Sequence, residues 1–150
     1  MTQIVALIEL PSGILQLAES LGASHELEVA LPLGEYRVLL DEQGGMIRIE
    51  SVTAPGPFVL GAELGSLVIE GYTALVGDAD ALERASDRDG ERFWSELFSK
   101  IAASPDGIAA GSLELVSGMR VAYTGMREGS HSVRELLDAT GRRRGVFVEG

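Results

Sequence analysis

Two histidines, His25 and His131, are the only imidazoles in this chain, and it contains no cysteine. Without a thiol there is no disulfide, no thiol catalysis and no cysteine-ligated metal, and such a composition fits a reducing compartment. Two imidazoles cannot build a three-histidine zinc site, and no His-Glu-x-x-His motif is present. His131 follows Gly129-Ser130 and stands three residues after Glu128. A histidine near a carboxylate and hydroxyls is the pattern of a general base. The commoner reading of such a histidine is a packed or surface residue with no chemistry. His25 opens an alternating segment and is expected to face solvent.

Asp78, Asp80, Asp87 and Asp89 gather around the start of a helical pattern. Asp87-x-Asp89-Gly90 has the opening of a calcium loop, but the later ligand positions of such a loop do not follow. Helix caps and partners for the helix dipole account for these carboxylates. No Gly-x-Ser-x-Gly elbow, phosphate-binding loop or dinucleotide fingerprint occurs. The residue types therefore assign no catalytic, cofactor-binding or metal-ligating position. The enzyme alternative is a small hydrolase or transferase using His131 with Glu128, or the carboxylates near Asp78.

Charge says more. The formal net charge is −11 over 150 residues. That disfavours nucleic acid, whose phosphates need clustered Lys and Arg. The one basic run, Arg142-Arg143-Arg144, falls in an expected hairpin. Complementary charge speeds association and selects partners, so the acidity suits a basic protein, although it also serves solubility. The expected contact face comprises Glu26, Glu28, Glu35, Asp41 and Glu42. The reading preferred here is a non-catalytic acidic binding domain for a basic partner, without cofactor or metal; the oligomeric state is left open.

These residues must be positioned by short strands. Gly is frequent, at 19 residues, which favours many turns. Leu64–Leu82 is expected to supply buried central strands: Ser66–Ile69 and Tyr72–Val76 flank Glu70-Gly71, which reads as a tight reversal. Thr2–Leu10, closed by Pro11-Ser12-Gly13, is a strand, and Ile14–Ala18 another. His25–Leu31 alternates cleanly. Tyr36–Leu40 and Met46–Val52 flank a loop at Asp41–Gly45. Thr53–Gly61, with Pro55-Gly56-Pro57, reads as a crossover. Asp80–Ala85 suggests a short helical turn. Glu91–Ala103 is the clearest helix, with Trp94, Leu97, Phe98 and Ile101 on one face, ending before Pro105. Ser112–Val116 and Met119–Thr124 form a hairpin around Ser117-Gly118, and His131–Leu137 and Arg142–Val148 a second around Asp138–Gly141.

Two segments echo each other. Gly34-Glu35-Tyr36-Arg37-Val38 is followed by Asp41 and Gly44; Gly129-Ser130-His131-Ser132-Val133 is followed by Asp138 and Gly141. Each places an aromatic ring two residues after Gly and Val four after it. Residues 1–54 and 62–150 then read as two versions of one β unit, with the helix inserted in the second; reuse of Gly and Asp in all hairpin turns is the simpler explanation.

The C-terminal third resembles a family of uncharacterised bacterial domains. The matching residues are Val121–Gly125, Glu128–Val133, Asp138 and Gly141, against a family pattern of Asp-Gly-x-Tyr-x-Val followed by an Asp-x-x-Gly hairpin. Gly71 through Asp78 resembles a second, looser motif, and together the likeness spans about half the chain. Glu128 stands in place of the family's Asp and His131 in place of its Tyr. The resemblance implies no reaction; the immunity or toxin-associated character of some members implies an inhibitory role.

The fold class expected is mainly β: one domain of about ten strands in an antiparallel sandwich or partly open barrel, with one amphipathic helix packed on a sheet. Ile4–Leu10 lacks the basic region of a signal peptide, and no run approaches the roughly 18 apolar residues that span a membrane. A soluble cytoplasmic protein is the expectation.

Overall fold

The computed structural model describes residues 2–19, 26–41, 46–70, 73–87, 90–102, 110–115 and 117–149. Its elements are β1 (Thr2–Glu9), β2 (Ile14–Glu19), β3 (Glu26–Ala30), β4 (Glu35–Asp41), β5 (Met46–Ser51), β6 (Val59–Ile69), β7 (Thr73–Asp78), α1 (Ala79–Asp87), α2 (Gly90–Ala102), β8 (Ala110–Glu114), β9 (Arg120–Gly125), β10 (Gly129–Leu137) and β11 (Arg143–Val148). They form two antiparallel sheets: sheet A in the order β1-β4-β5-β11-β10-β6, and sheet B in the order β3-β2-β7-β9-β8. The sheets do not close into a barrel, so of the two expected architectures the sandwich is the one observed.

Period-two alternation builds the interior. In β4, Tyr36, Val38 and Leu40 are buried while Glu35, Arg37, Leu39 and Asp41 are less so; in β5, Ile47, Ile49 and Ser51 alternate with Met46, Arg48 and Glu50. The inward residues of sheet A meet Leu15, Leu17, Val29, Ala74, Val76 and Ala122 of sheet B in one core. Each fully buried aliphatic side chain there contributes about 1.5–3 kcal/mol relative to exposure. β7 is buried at all six positions because both its faces are covered. Its second face, with Leu75, joins Leu113, Val121 and Tyr123 against Ala81 and Leu82 of α1 and Phe93 and Leu97 of α2.

Several expectations are corrected. The pair Glu70-Gly71 does not close a hairpin: β6 and β7 lie in different sheets and do not pair. Glu70 follows β6, residues 71 and 72 lie outside the described set, and Glu19 Oε1 accepts the Glu70 N–H at 2.9 Å. β6 starts at Val59, within the segment read as a crossover, and forms the far edge of sheet A. The short helical turn expected at Asp80–Ala85 is observed as α1, beside the expected helix α2, among the described residues. In α2 the buried pair is Phe93 and Leu97, while Phe98 is exposed and stacks on the half-buried Trp94. The helix is thus rotated about one position from the Trp94–Leu97–Phe98 face, since Phe93 and Leu97, at i and i+4, give the stripe that reaches sheet B.

The strand order of sheet A reads alike from either edge. β1 pairs β4 and β4 pairs β5; β6 pairs β10 and β10 pairs β11; the two triplets meet through β5 and β11. In sheet B, β2 with β3 and β7 with β9 meet through β2 and β7. The chain enters sheet B after β1 and after β6, and returns to sheet A at β4 and at β10.

Candidate functional site

The buried carboxylate Asp78 is structural. Its Oδ2 accepts the Ser12 N–H at 2.9 Å and the Ser12 Oγ–H at 2.6 Å, and its Oδ1 accepts the Asp80 N–H at 3.0 Å. It therefore caps α1 and pins the β1–β2 turn to the start of that helix. Asp80 is exposed, and the side chains of Asp87 and Asp89 lie outside the described residues. No cluster of three or more metal-ligating side chains occurs among the described residues.

His131 is 5% exposed. Its Nδ1 lies 2.8 Å from the carbonyl oxygen of Glu149 and its Nε2 2.6 Å from that of Arg127. Both nitrogens are engaged by backbone, which leaves no lone pair directed to a substrate. Glu128, the carboxylate partner expected for it, is exposed on the β9–β10 connection. His25 lies outside the described residues.

Of the five acidic residues expected to form one face, the four that are described are divided between the two sheets. In β3, Leu27 and Val29 point into the core, so Glu26 and Glu28 point away from it on sheet B. Glu35 and Asp41 point away from the same core on sheet A, at opposite ends of β4. Glu42 lies outside the described residues. The arginine run is largely neutralised within the chain: Arg143 Nε lies 3.0 Å from Glu135 and Arg144 Nε 2.9 Å from Asp138.

Glu35 instead belongs to a cleft at the β1 edge of sheet A. The cleft is open, of about 480 Å³, and is lined by Leu7, Glu9, Glu35, Ser117, Gly118, Met119 and Arg120. Glu9 and Glu35 are directly opposed across the β1–β4 ladder. The far wall is the β8–β9 turn, which is held by Leu115 N–H to Met119 C=O and Gly118 N–H to Leu115 C=O, with Gly118 at φ +88°. That turn reaches the cleft because β1 packs beside β8 and β9.

Two carboxylates, Glu9 and Glu35, share this cleft with one guanidinium, Arg120, without a contact-distance pair among the described residues. Elsewhere on sheet A, Glu50 lies 3.1 Å from Arg37 Nε and 3.2 Å from Arg48. The side chains of Glu9, Glu35 and Arg120 form no hydrogen bond or ion pair among the described residues, although all three line one space. Like charges directly opposed on a sheet are destabilising. The matching position in the other triplet of sheet A, reached by aligning Tyr36 with His131, carries Val68 opposite Ser130. The architecture therefore does not require a carboxylate pair there. Glu9 escaped the acidic set because it interrupts an otherwise apolar run; that interruption was the available signal.

No protein-family model matches the chain, and neither a curated protein nor a solved structure matches it significantly. No helix among the described residues is long and apolar enough to cross a membrane.

Proposed function

We propose that this chain is a non-catalytic binding domain that takes a basic side chain of a partner protein into the Glu9–Glu35 cleft. The observation that carries this reading is the opposed, unpaired carboxylate pair in an open space. A lysine or arginine entering there meets two carboxylates and lays its aliphatic stem on Leu7 and Met119. The net charge of −11 steers a basic protein toward the surface before the cleft selects a side chain. An inhibitory role against such a protein is the form of this reading that the C-terminal resemblance implies. The engaged nitrogens of His131 and the capping role of Asp78 favour binding over the hydrolase or transferase alternative.

The test is chemical-shift mapping with a short lysine- and arginine-rich peptide at low salt. The expected perturbations centre on Leu7, Glu9, Glu35 and Met119, and fade in high salt. Perturbations confined to Glu26, Glu28 and the outer face of sheet B would place binding elsewhere and refute this assignment.

A further inference from the structure

We infer that the basic side chain entering the Glu9–Glu35 cleft belongs to the carboxyl-terminal residue of the partner protein, whose free α-carboxylate is held by Arg120. This rests on the cation-cleft reading above and names the part of the partner that the cleft takes. The lining carries it. Two carboxylates stand opposed on the β1–β4 ladder, and one guanidinium, Arg120, stands on the β8–β9 wall of the same space of about 480 Å³. The acidic wall belongs to sheet A and the basic wall to sheet B. Each wall is fixed by its own ladder, and the turn before Arg120 is held by the backbone bonds between Leu115, Gly118 and Met119. The packing of the two sheets therefore sets the gap between the charges.

No ion pair closes across that gap, although arginines close such pairs elsewhere in the chain. Arg37 and Arg48 reach Glu50, Arg143 reaches Glu135 and Arg144 reaches Asp138, at 2.9–3.2 Å. Glu114, opposite Arg120 across the β8–β9 ladder, does not pair with it among the described residues and lies outside the cleft lining. A lysine or arginine from the middle of a chain satisfies the carboxylates but brings only like charge to Arg120. A residue with both a side-chain cation and an α-carboxylate satisfies all three groups. The carboxylate accepts two parallel N–H bonds from the guanidinium, and the aliphatic stem that separates the two charges lies on Leu7 and Met119. Capture of a chain-terminal carboxylate is a recurring recognition mode. A free amino acid has the same two groups but adds an α-ammonium that Arg120 repels; in a terminal residue that nitrogen is a neutral amide. The cleft is open, which lets the preceding chain leave, whereas sites for small molecules bury most of the ligand.

Calorimetric titration of the full chain at low salt tests this with two acetylated alanine peptides ending in arginine, one with a free carboxylate and one with a carboxamide. The free carboxylate is expected to bind on the order of tenfold more tightly, the effect of one charge-assisted pair. In Arg120→Gln that preference is expected to vanish. In Arg120→Lys it is expected to persist in part, because lysine supplies the charge without the planar fork. Arg120 is exposed, so neither change removes a buried contact. Equal affinity for the two peptides, with both weakened in Glu9→Gln/Glu35→Gln, would overturn this inference and leave the cation cleft standing. Failure of either peptide to bind at all would overturn both readings together. Free arginine bound as tightly as the carboxylate peptide would also overturn the inference, since the site would then take a free amino acid and not a chain end.

Discussion

Tyr36 and His131 hold matching places in sheet A: each stands two residues past a glycine of positive φ, Gly34 at +144° and Gly129 at +132°, and each bonds the carbonyl four residues upstream. The glycines are needed because a side chain is strained in that region of backbone space. The aromatic ring then drops into the core and ties the incoming loop to the strand that follows it, as a tyrosine corner does in other sandwiches. Burial raises the Tyr36 phenol above its ordinary range, and nearby Arg144 partly opposes the rise. The hydroxyl therefore remains a donor throughout the neutral range. Tyr36→Phe would leave the Pro32 carbonyl without this partner and is expected to cost about 1–3 kcal/mol. Urea unfolding of the two proteins measures it; a midpoint equal to that of the unaltered chain would contradict the account.

Gly145 lies where the two triplets of sheet A join, opposite Glu50 on β5. A Cβ placed on it would collide with the Ile49 carbonyl oxygen, a backbone atom that cannot turn aside. Gly145→Ala is expected to destabilise by roughly 3 kcal/mol, at the upper end of ordinary overpacking. Gly118, whose Cβ would meet nothing within 4 Å, is limited only by its positive φ. Gly118→Ala should therefore cost less than Gly145→Ala, and thermal unfolding of both variants checks the order.

How far these features are legible in sequence depends on their range. Alternation in β3, β4 and β5 reports the buried face directly, because side chains of a strand point alternately. The hairpins at Ser117-Gly118 and Asp138–Gly141 are equally local. The echo of Gly34-x-Tyr36 and Gly129-x-His131 announces two places that match in the strand order. Sheet assignment is not local: a turn from β6 to β7 within one sheet and a corner between two sheets use similar residues, and only packing distinguishes them. The cleft is less legible still. Glu9 and Glu35 are 26 positions apart in a chain with 23 acidic residues, and β-pairing alone makes them neighbours.

Acid should weaken the β10–β11 end of the fold. Glu135 is held below its usual value of 4.5 by the Ala62 N–H and by Arg143. Asp138 is held well below its usual 3.8 by the Thr140 hydroxyl, Arg144 and the Arg142 N–H. Both groups are more acidic folded than unfolded. Their contribution is therefore present in full above about pH 4.5 and is lost as the pH falls through their folded values. Asp138→Asn is expected to lower the melting temperature at pH 7 and to flatten its decline below pH 4.5. A variant whose melting temperature keeps the full decline of the unaltered chain would show that Asp138 does not carry this dependence.

Affinity for a short arginine- and lysine-rich peptide reads the proposed cation site at Glu9 and Glu35. Titration at low salt compares the unaltered chain with Glu9→Gln/Glu35→Gln. Removing two opposed like charges should leave the variant as stable or up to about 1 kcal/mol more so, so lost binding cannot be ascribed to lost fold. The account predicts that the variant binds the peptide at least about tenfold more weakly, the effect of losing roughly 1.4 kcal/mol of charge-assisted bonding. Equal affinity of the two proteins for the peptide would contradict it.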